Sequence, residues 1–266
     1  SEMNNELVSV IMGVYNCEKT VGKCIESVLN QTYTNWEFII CDDCSTDKTL
    51  DVLKAYAKKD SRIKIIQNKK NSKLAYSLNH CLKYCNGVYV ARMDADDECM
   101  PKRLEVQVDF MNLHKEIAVV GSSAKIFDGE KITGIRRIEE NPTKTDVLKG
   151  PAFMHPTIMM RKNVYDILNG YIVAKRTVRG QDWDLWFRFF AKGYKGYNLQ
   201  EPLLIYHEST GDYKKRTLKT AIMYTQTALI GYRLLKVPIY KYVYAIKPII
   251  AVLIPNRILK IYHREQ

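Results

Sequence analysis

The sequence predicts an α/β fold with a Rossmann-like, mixed but largely parallel sheet, helices on both of its faces, and a helical, amphipathic C-terminal tail. Three observations predict it. Apolar runs of strand length alternate with helical periodicity through the first hundred residues; an antiparallel texture follows; and the last fifth of the chain is basic, aromatic and broken by prolines. With 266 residues, 46% hydrophobic and 26% charged, the chain has the composition of a folded protein with an ample core.

Taken in order, LVSVIM (7 to 12) is an apolar strand and Gly13-Val14-Tyr15-Asn16 a turn. Val21, Cys24, Ile25, Val28 and Leu29 then recur at positions i, i+3, i+4, i+7 and i+8 of a helix. EFIIC (37 to 41) is a second strand, followed by the acidic turn Asp42 to Asp47 and a helix carrying Leu50, Leu53 and Ala57. IKIIQ (63 to 67) leads to a helix with Leu74, Leu78 and Leu82, and behind Gly87 the alternation of Val88 and Val90 with Tyr89 and Ala91 gives a fourth, buried strand. That strand runs into Asp94, Asp96 and Asp97. Beyond Pro101 come a helix with Leu104, Val108 and Met111, a strand IAVVG (117 to 121), a hairpin through Gly129-Glu130, and a helix whose core face holds Trp183, Trp186, Phe187 and Phe190.

Four strand-then-helix units in sequence imply a doubly wound sheet, whose ligands sit at the carboxyl ends of the strands. That rule gathers Tyr15-Asn16, Asp42-Asp43 and Asp94-Ala95-Asp96 on one rim. Three acids within four residues repel one another, so a fold that collects them normally supplies a cation, and hard oxygen donors favour magnesium or manganese. The alternative is a solvated turn capping the helix after Pro101. No Gly-x-Gly-x-x-Gly or Gly-Lys-Ser/Thr loop is present, so any phosphates on this rim would rely on the metal.

Seven cysteines and no secretion-signal pattern point to reduced thiols in the cytosol, with Ser1-Glu2-Met3 read as a remnant ahead of the natural start. Cys41-x-x-Cys44 and Cys81-x-x-x-Cys85 have spacings that can hold zinc, but three of these cysteines fall at core positions, where the thiol acts as a small hydrophobe. The formal charge of +12 is uneven: from Tyr213 to Gln266 there are eleven Lys or Arg against Glu265 alone, which leaves the preceding residues close to neutral.

The segments VSVIMGVYN, CIESVLNQTY, FIICDDCSTDKT, NGVYVARMDADD, HPTIMMRKNV and GQDWDLWFR, in this order and spacing, resemble the inverting family 2 glycosyltransferases of the GT-A fold, over residues 8 to about 208. The resemblance implies a catalytic domain at 1–212, with a donor half at about 7–100 and an acceptor half at about 101–212, and an extension at 213–266. It implies a UDP-sugar donor and a divalent Mn2+ or Mg2+ ion. Tyr15 would offer its ring to the base, Asp43 would accept the imide hydrogen of uracil, and Lys73 would stand beside base and phosphates. Asp94 would reach the ribose or the ion, Asp96 would ligate the ion, and His207 would complete the metal or diphosphate site.

On the acceptor side the resemblance implies His155, Gln181 and Trp183, although a histidine bonding only to backbone is an equal reading of His155. Asp182 would be the base that takes the proton of the attacking hydroxyl, with Gln181 standing where relatives carry Glu. The alternative role for Asp182 is the N-cap of its helix. Residues 208 to 216, with Lys214-Lys215-Arg216, read as a loop closing over the diphosphate.

The acceptor of many bacterial relatives is a lipid-linked saccharide. The tail, too interrupted by Lys247, Pro238, Pro248 and Pro255 to span a bilayer, suits the headgroup region of an anionic inner leaflet. Packing against the catalytic domain or a second subunit is the alternative. Nucleic acid is not expected as a partner: a nucleic-acid module would use the basic tail but leave the acidic rim without purpose. A catalytically inert sugar-nucleotide scaffold is the remaining rival class.

Overall fold

The structure, a computed structural model, describes residues 5–208 and 217–255. Its first half alternates β1 (Val8–Val14), α1 (Val21–Leu29), β2 (Trp36–Asp42), α2 (Thr49–Lys59), β3 (Ile63–Gln67), α3 (Lys73–Leu82) and β4 (Tyr89–Arg92). There follow β5 (Glu98–Cys99), α4 (Arg103–Leu113), β6 (Ile117–Phe127), β7 (Ile132–Arg136), β8 (Met159–Arg161) and α5 (Lys162–Ile167). The chain continues with α6 (Gln181–Ala191), β9 (Lys195–His207), α7 (Leu218–Leu234), a 3-10 segment Ile239–Ile246 and α8 (Lys247–Leu253).

One mixed sheet runs β3-β2-β1-β4-β8-β6-β9-β5, with β7 paired to the distal half of β6. The first four of these strands are parallel, as the strand-then-helix alternation predicts, and β8 enters antiparallel beside β4. β1 and β2 are largely apolar, and buried at every position but Gly13, because both of their faces are covered; the buried polar exceptions are Ser9, Glu37 and Asp42. Val10, Met12, Phe38 and Ile40 pack on the α1 and α4 side, while Ile11, Ile39 and Val90 pack on the α3 and α6 side. The period of two sends successive residues to opposite layers.

Two local expectations change. The strand at 117 to 121 and the first arm of the hairpin form one continuous β6, because β9 supplies partners along its whole length, with register shifts around the buried Ser122 and Ser123. Val88 is exposed, and the fourth strand begins only at Tyr89. At Gly87 an added Cβ would sit 2.6 Å from the Ser9 amide nitrogen, so the chain passes β1 too closely for a side chain.

The described part of the C-terminal extension shares a core with the α/β part of the chain that precedes it. Ala228, Tyr232 and Ala245 are fully buried with Trp183, Trp186 and Phe187. A Cβ on Gly231 would lie 2.2 Å from Phe187 Cγ, so α7 approaches α6 more closely than any larger residue permits. The Tyr232 hydroxyl donates to the Leu148 carbonyl at 2.6 Å. No helix among the described residues is long and apolar enough to cross a membrane. The expected remnant at Ser1-Glu2-Met3, the closing loop with its Lys214-Lys215-Arg216 cluster, and the basic residues Arg257, Lys260 and Arg264 lie outside the described residues.

Candidate active site

The loops after β1 and β2 are joined at the rim. Asn16, at φ 47°, accepts from the Thr46 amide at 2.8 Å on Oδ1, and its own amide donates to Ser45 Oγ at 3.0 Å. Asparagine tolerates this left-handed backbone better than most residues. Tyr15 is consequently held out in solvent, half exposed, which removes the possibility that it is a core residue. It lines a groove of about 640 Å³ together with Asn16, Leu74, Asp94 and Asp96.

Asp43 is buried and its carboxylate is already engaged. Oδ1 accepts from the Ser72 amide at 2.7 Å and from Asn68 Nδ2 at 2.9 Å, and Oδ2 accepts from the Lys73 amide at 2.9 Å. Asp43 thus caps α3 from a distance, holding Lys73 at φ 72°. A single carboxylate oxygen can accept more than one hydrogen bond, so Oδ2 keeps capacity for a ligand donor. The Lys73 ammonium is exposed beside the groove lining rather than within it.

In the acidic turn each carboxylate has a different setting. Asp94 accepts from Arg92 Nη2 at 2.8 Å, and Asp96, exposed, accepts from Thr20 Oγ1 at 3.1 Å. Asp97 is buried and accepts from the His207 amide at 3.2 Å. Burial first, then the charges of Asp94 and Asp96, push its carboxyl up to about 8, against the pull of the His207 amide and Arg103. Asp97, buried and bonded to the His207 amide, belongs to the support of the turn.

The turn fits a divalent cation held with a diphosphate. Asp94 and Asp96 offer hard oxygens, and their mutual charge is what a cation would offset. The expected three-ligand group with His207 is not assembled. His207 Nε2 pairs with Glu98 Oε2 at 2.8 Å, its ring lies against Phe127, and no three His, Cys, Asp or Glu side chains converge among the described residues. Two carboxylates completed by substrate oxygens are the ordinary arrangement for such an ion with a nucleotide. Cys41 and Cys81, of the two spacings that can hold zinc, are buried free thiols.

His155 is corrected more sharply. It is buried under the site rather than lining it: Nε2 meets the Tyr171 hydroxyl at 2.7 Å, the ring stands edge-on to Trp186, and Nδ1 has no partner. Burial and the nearby Arg92 charge hold its pKa well below the ordinary histidine value, so it is neutral. The 3-10 turn His155–Thr157, started by Pro156, turns the ring inward to a hydroxyl, neither to a sugar nor to backbone.

Asp182 is at the second position of α6, and the N-cap is Gly180 at φ 75°. Its Oδ1 accepts from the adjacent Trp183 amide at 2.8 Å, so it stabilises the first turn without being the cap. A Cβ at Gly180 would stand 2.8 Å from Tyr224 Cε1 of α7, which fixes the entry of the helix. Burial holds the Asp182 carboxyl above its usual range; the Trp183 amide and Arg92 pull it down and Asp94 raises it again. Gln181 is buried at the first helical position, and Trp183, also buried, donates from Nε1 to the Val147 carbonyl at 2.8 Å. Asp182 and Trp183 line a second cavity, of about 530 Å³.

The residue that sequence reasoning missed is Arg92. It is a buried cation, 1% exposed, bonded to Asp94 and, at 3.4 Å, to the Tyr171 hydroxyl that also meets Tyr165 and His155. Its charge acts on both Asp94 and Asp182, and these two carboxylates act on each other. Acidic turn and α6 carboxylate therefore face one electrostatic centre. An arginine inside an apolar strand one residue from the turn was the available signal, since a cation is buried there only with a partner.

The model of the family "Glycosyl transferase family 2" matches residues 9–168. EpsE of Bacillus subtilis (strain 168), a glycosyltransferase by name, is 46% identical over 97% of this chain and 94% of its own length. The Escherichia coli protein WfgD, named as a UDP-Glc:alpha-D-GlcNAc-diphosphoundecaprenol beta-1,3-glucosyltransferase, is 33% identical over 69% of this chain and 70% of its own. Among solved structures, S. aureus TarS in complex with UDP-GlcNAc superposes with a TM-score of 0.70 at 18% identity, covering 92% of this chain and 71% of that one, a likeness of fold. A GT-A sheet, an acidic turn after its fourth strand, and a family match across both make this chain a glycosyltransferase that belongs to glycosyl transferase family 2.

Proposed function

We propose that the protein transfers a sugar from a UDP-sugar to a saccharide acceptor carried on a lipid diphosphate, with inversion, in the building of a cell-surface polysaccharide. The observation that carries this reading is the buried Arg92, bonded to Asp94 at 2.8 Å and acting on Asp182, an arrangement that would set a donor-binding carboxylate against a candidate base. Tyr15 would face the uracil ring and Asp43 Oδ2 its imide hydrogen, while Asp94 and Asp96 would hold the divalent ion. When bound, that ion neutralises charge on the departing diphosphate. Asp182 accepts the proton of the acceptor hydroxyl as its oxygen attacks the anomeric carbon opposite the leaving group, a single displacement.

A carboxyl held above its usual range by burial accepts a proton more readily than an exposed aspartate does. Arg92 orients Asp94 through the 2.8 Å hydrogen bond and moderates the rise at Asp182. The lipid diphosphate carrier is supported by the name of WfgD. Attachment to the inner face of the plasma membrane, from the cytoplasm, is supported by the exposed Ile239, Tyr240, Val243 and Leu253 beside Lys241 and Lys247. The test is a panel of nucleotide sugars with Mn2+, read as UDP release with and without acceptor. Metal-dependent release from UDP-sugars that Asp182→Asn abolishes is the expected result; no nucleotide sugar binding at all would overturn the proposal.

A further inference from the structure

The cavity beside Asp182 has two unlike walls. One is the catalytic half: Lys149, Arg179, Asp182 and Trp183. The other is the C-terminal extension: Tyr224 of α7, then Lys247, Ala251 and Val252 of α8. Its volume, about 530 Å³, lies in the range of sites that enclose a small ligand, roughly 300–1,000 Å³. Among the described residues of the lining Lys149, Arg179 and Lys247 are cations and Asp182 is the one acid, and none of the three cations is in an ion pair with another described residue. The Lys149 ammonium lies over the Tyr244 ring at 4.9 Å, which couples the loop before Gly150 to the extension.

The helix that closes this cavity also carries exposed apolar side chains. α8 sends Ala251 and Val252 to the lining, while Ile250 and Leu253 are 46% and 69% exposed, and Ile246 just before it is 44% exposed. One short element thus borders a cationic cavity and an apolar surface. On the donor reading above, the nucleotide diphosphate belongs to the groove of the acidic turn, which leaves the cations of this cavity open to a second anion.

Resting on the proposed function above, we infer that this cavity is the seat of the acceptor's own prenyl diphosphate, with Lys149, Arg179 and Lys247 receiving the diphosphate and the α8 apolar face receiving the start of the prenyl chain. The saccharide then extends from the diphosphate toward Asp182. The extension is on this account part of the acceptor site and decides that the acceptor is a lipid diphosphate rather than a free sugar. Multiple cations match the clustered charge of a diphosphate, and the adjoining apolar surface matches what is attached to it.

The test uses the full chain, saturated with UDP and Mn2+ to occupy the donor groove, titrated calorimetrically with farnesyl diphosphate, farnesol and inorganic pyrophosphate. Farnesyl diphosphate is expected to bind at least about 10-fold tighter than either fragment. Lys149→Gln with Lys247→Gln should weaken it about 10-fold or more, Lys149→Arg with Lys247→Arg should restore it, and UDP affinity should not move in either. Equal binding of pyrophosphate and farnesyl diphosphate, or binding indifferent to the lysine pair, overturns the inference. Binding to phosphatidylglycerol vesicles without any to farnesyl diphosphate also overturns it, leaving the extension as a membrane anchor only. The preceding UDP titration separates the two proposals: UDP bound but farnesyl diphosphate refused defeats this inference alone, whereas failure to bind UDP defeats the donor reading.

Discussion

Arg92 donates from Nη2 to Asp94 Oδ1 at 2.8 Å, with the guanidinium closed off from water and the carboxylate 40% exposed. The pair is asymmetric, and its two halves should fail differently. Asp94→Ala strands a buried cation, whereas Arg92→Met leaves a carboxylate that water can reach. Breaking a fully buried pair costs about 3–5 kcal/mol, and with one side open the expected loss for Asp94→Ala is about 2–3 kcal/mol, larger than for Arg92→Met. The double variant should lose less than the sum, a coupling of about 0.5–3 kcal/mol in urea unfolding. Strict additivity would disconnect the two residues.

Asp96 differs because it is exposed and, among the described residues, hydrogen-bonded to Thr20 Oγ1 alone. Asp96→Ala should keep its thermal midpoint and lose the metal-dependent stabilisation by UDP. For the parent protein that gain is about 2.7 kcal/mol at a hundredfold excess over Kd. Thermal unfolding with UDP, with and without Mn2+, reads it directly.

For Asp182→Asn the expectation is a fall in turnover of about 10²–10⁴ with UDP affinity retained. The base must be ionised, and burial raises its pKa, so the acidic limb of kcat/KM should lie at higher pH than an ordinary aspartate gives. Arg92→Met removes a charge that lowers that pKa and should shift the limb further up. A limb at the ordinary carboxylate position would deny Asp182 this environment.

Gly231→Ala drives a Cβ into the Phe187 ring, whose carbons stand 2.2 to 2.4 Å from it. Overpacking of this kind costs about 1–3 kcal/mol. Because α7 and α6 share that contact, acceptor-dependent transfer should fall more than acceptor-free UDP-sugar hydrolysis, measured side by side. Equal losses would mean the extension supports the whole domain without favouring the acceptor side.

His155 is held neutral in the fold, so its contribution to stability is complete above its unfolded pKa and is lost as pH falls through and below it. His155→Gln should have a flatter loss of midpoint between pH 7 and 5 than the parent. An identical pH profile would show that the imidazole is not confined as described.

The sequence by itself determined the strand-then-helix order, the parallel half of the sheet and the rim where Tyr15, Asp43 and Asp94 meet, because burial on two faces and the period of each element are local properties of a residue string. It also marked Asp182 and Asp96 as carboxylates worth following. Only the tertiary structure decided their company. His155 reads as an acceptor contact or a histidine bonded to backbone until Tyr171 and Trp186 close over it, and His207 reads as a ligand until Glu98 takes its Nε2. Arg92 was hidden because its partners come from the acidic turn and from Tyr171, 79 residues further on, and a buried charge has meaning only through what surrounds it. The extension was legible as basic and amphipathic, but that it walls the cavity of Asp182 depends on contacts with distant parts of the chain, among them the close approach of Gly231 to the Phe187 ring and the Tyr232 bond to the Leu148 carbonyl.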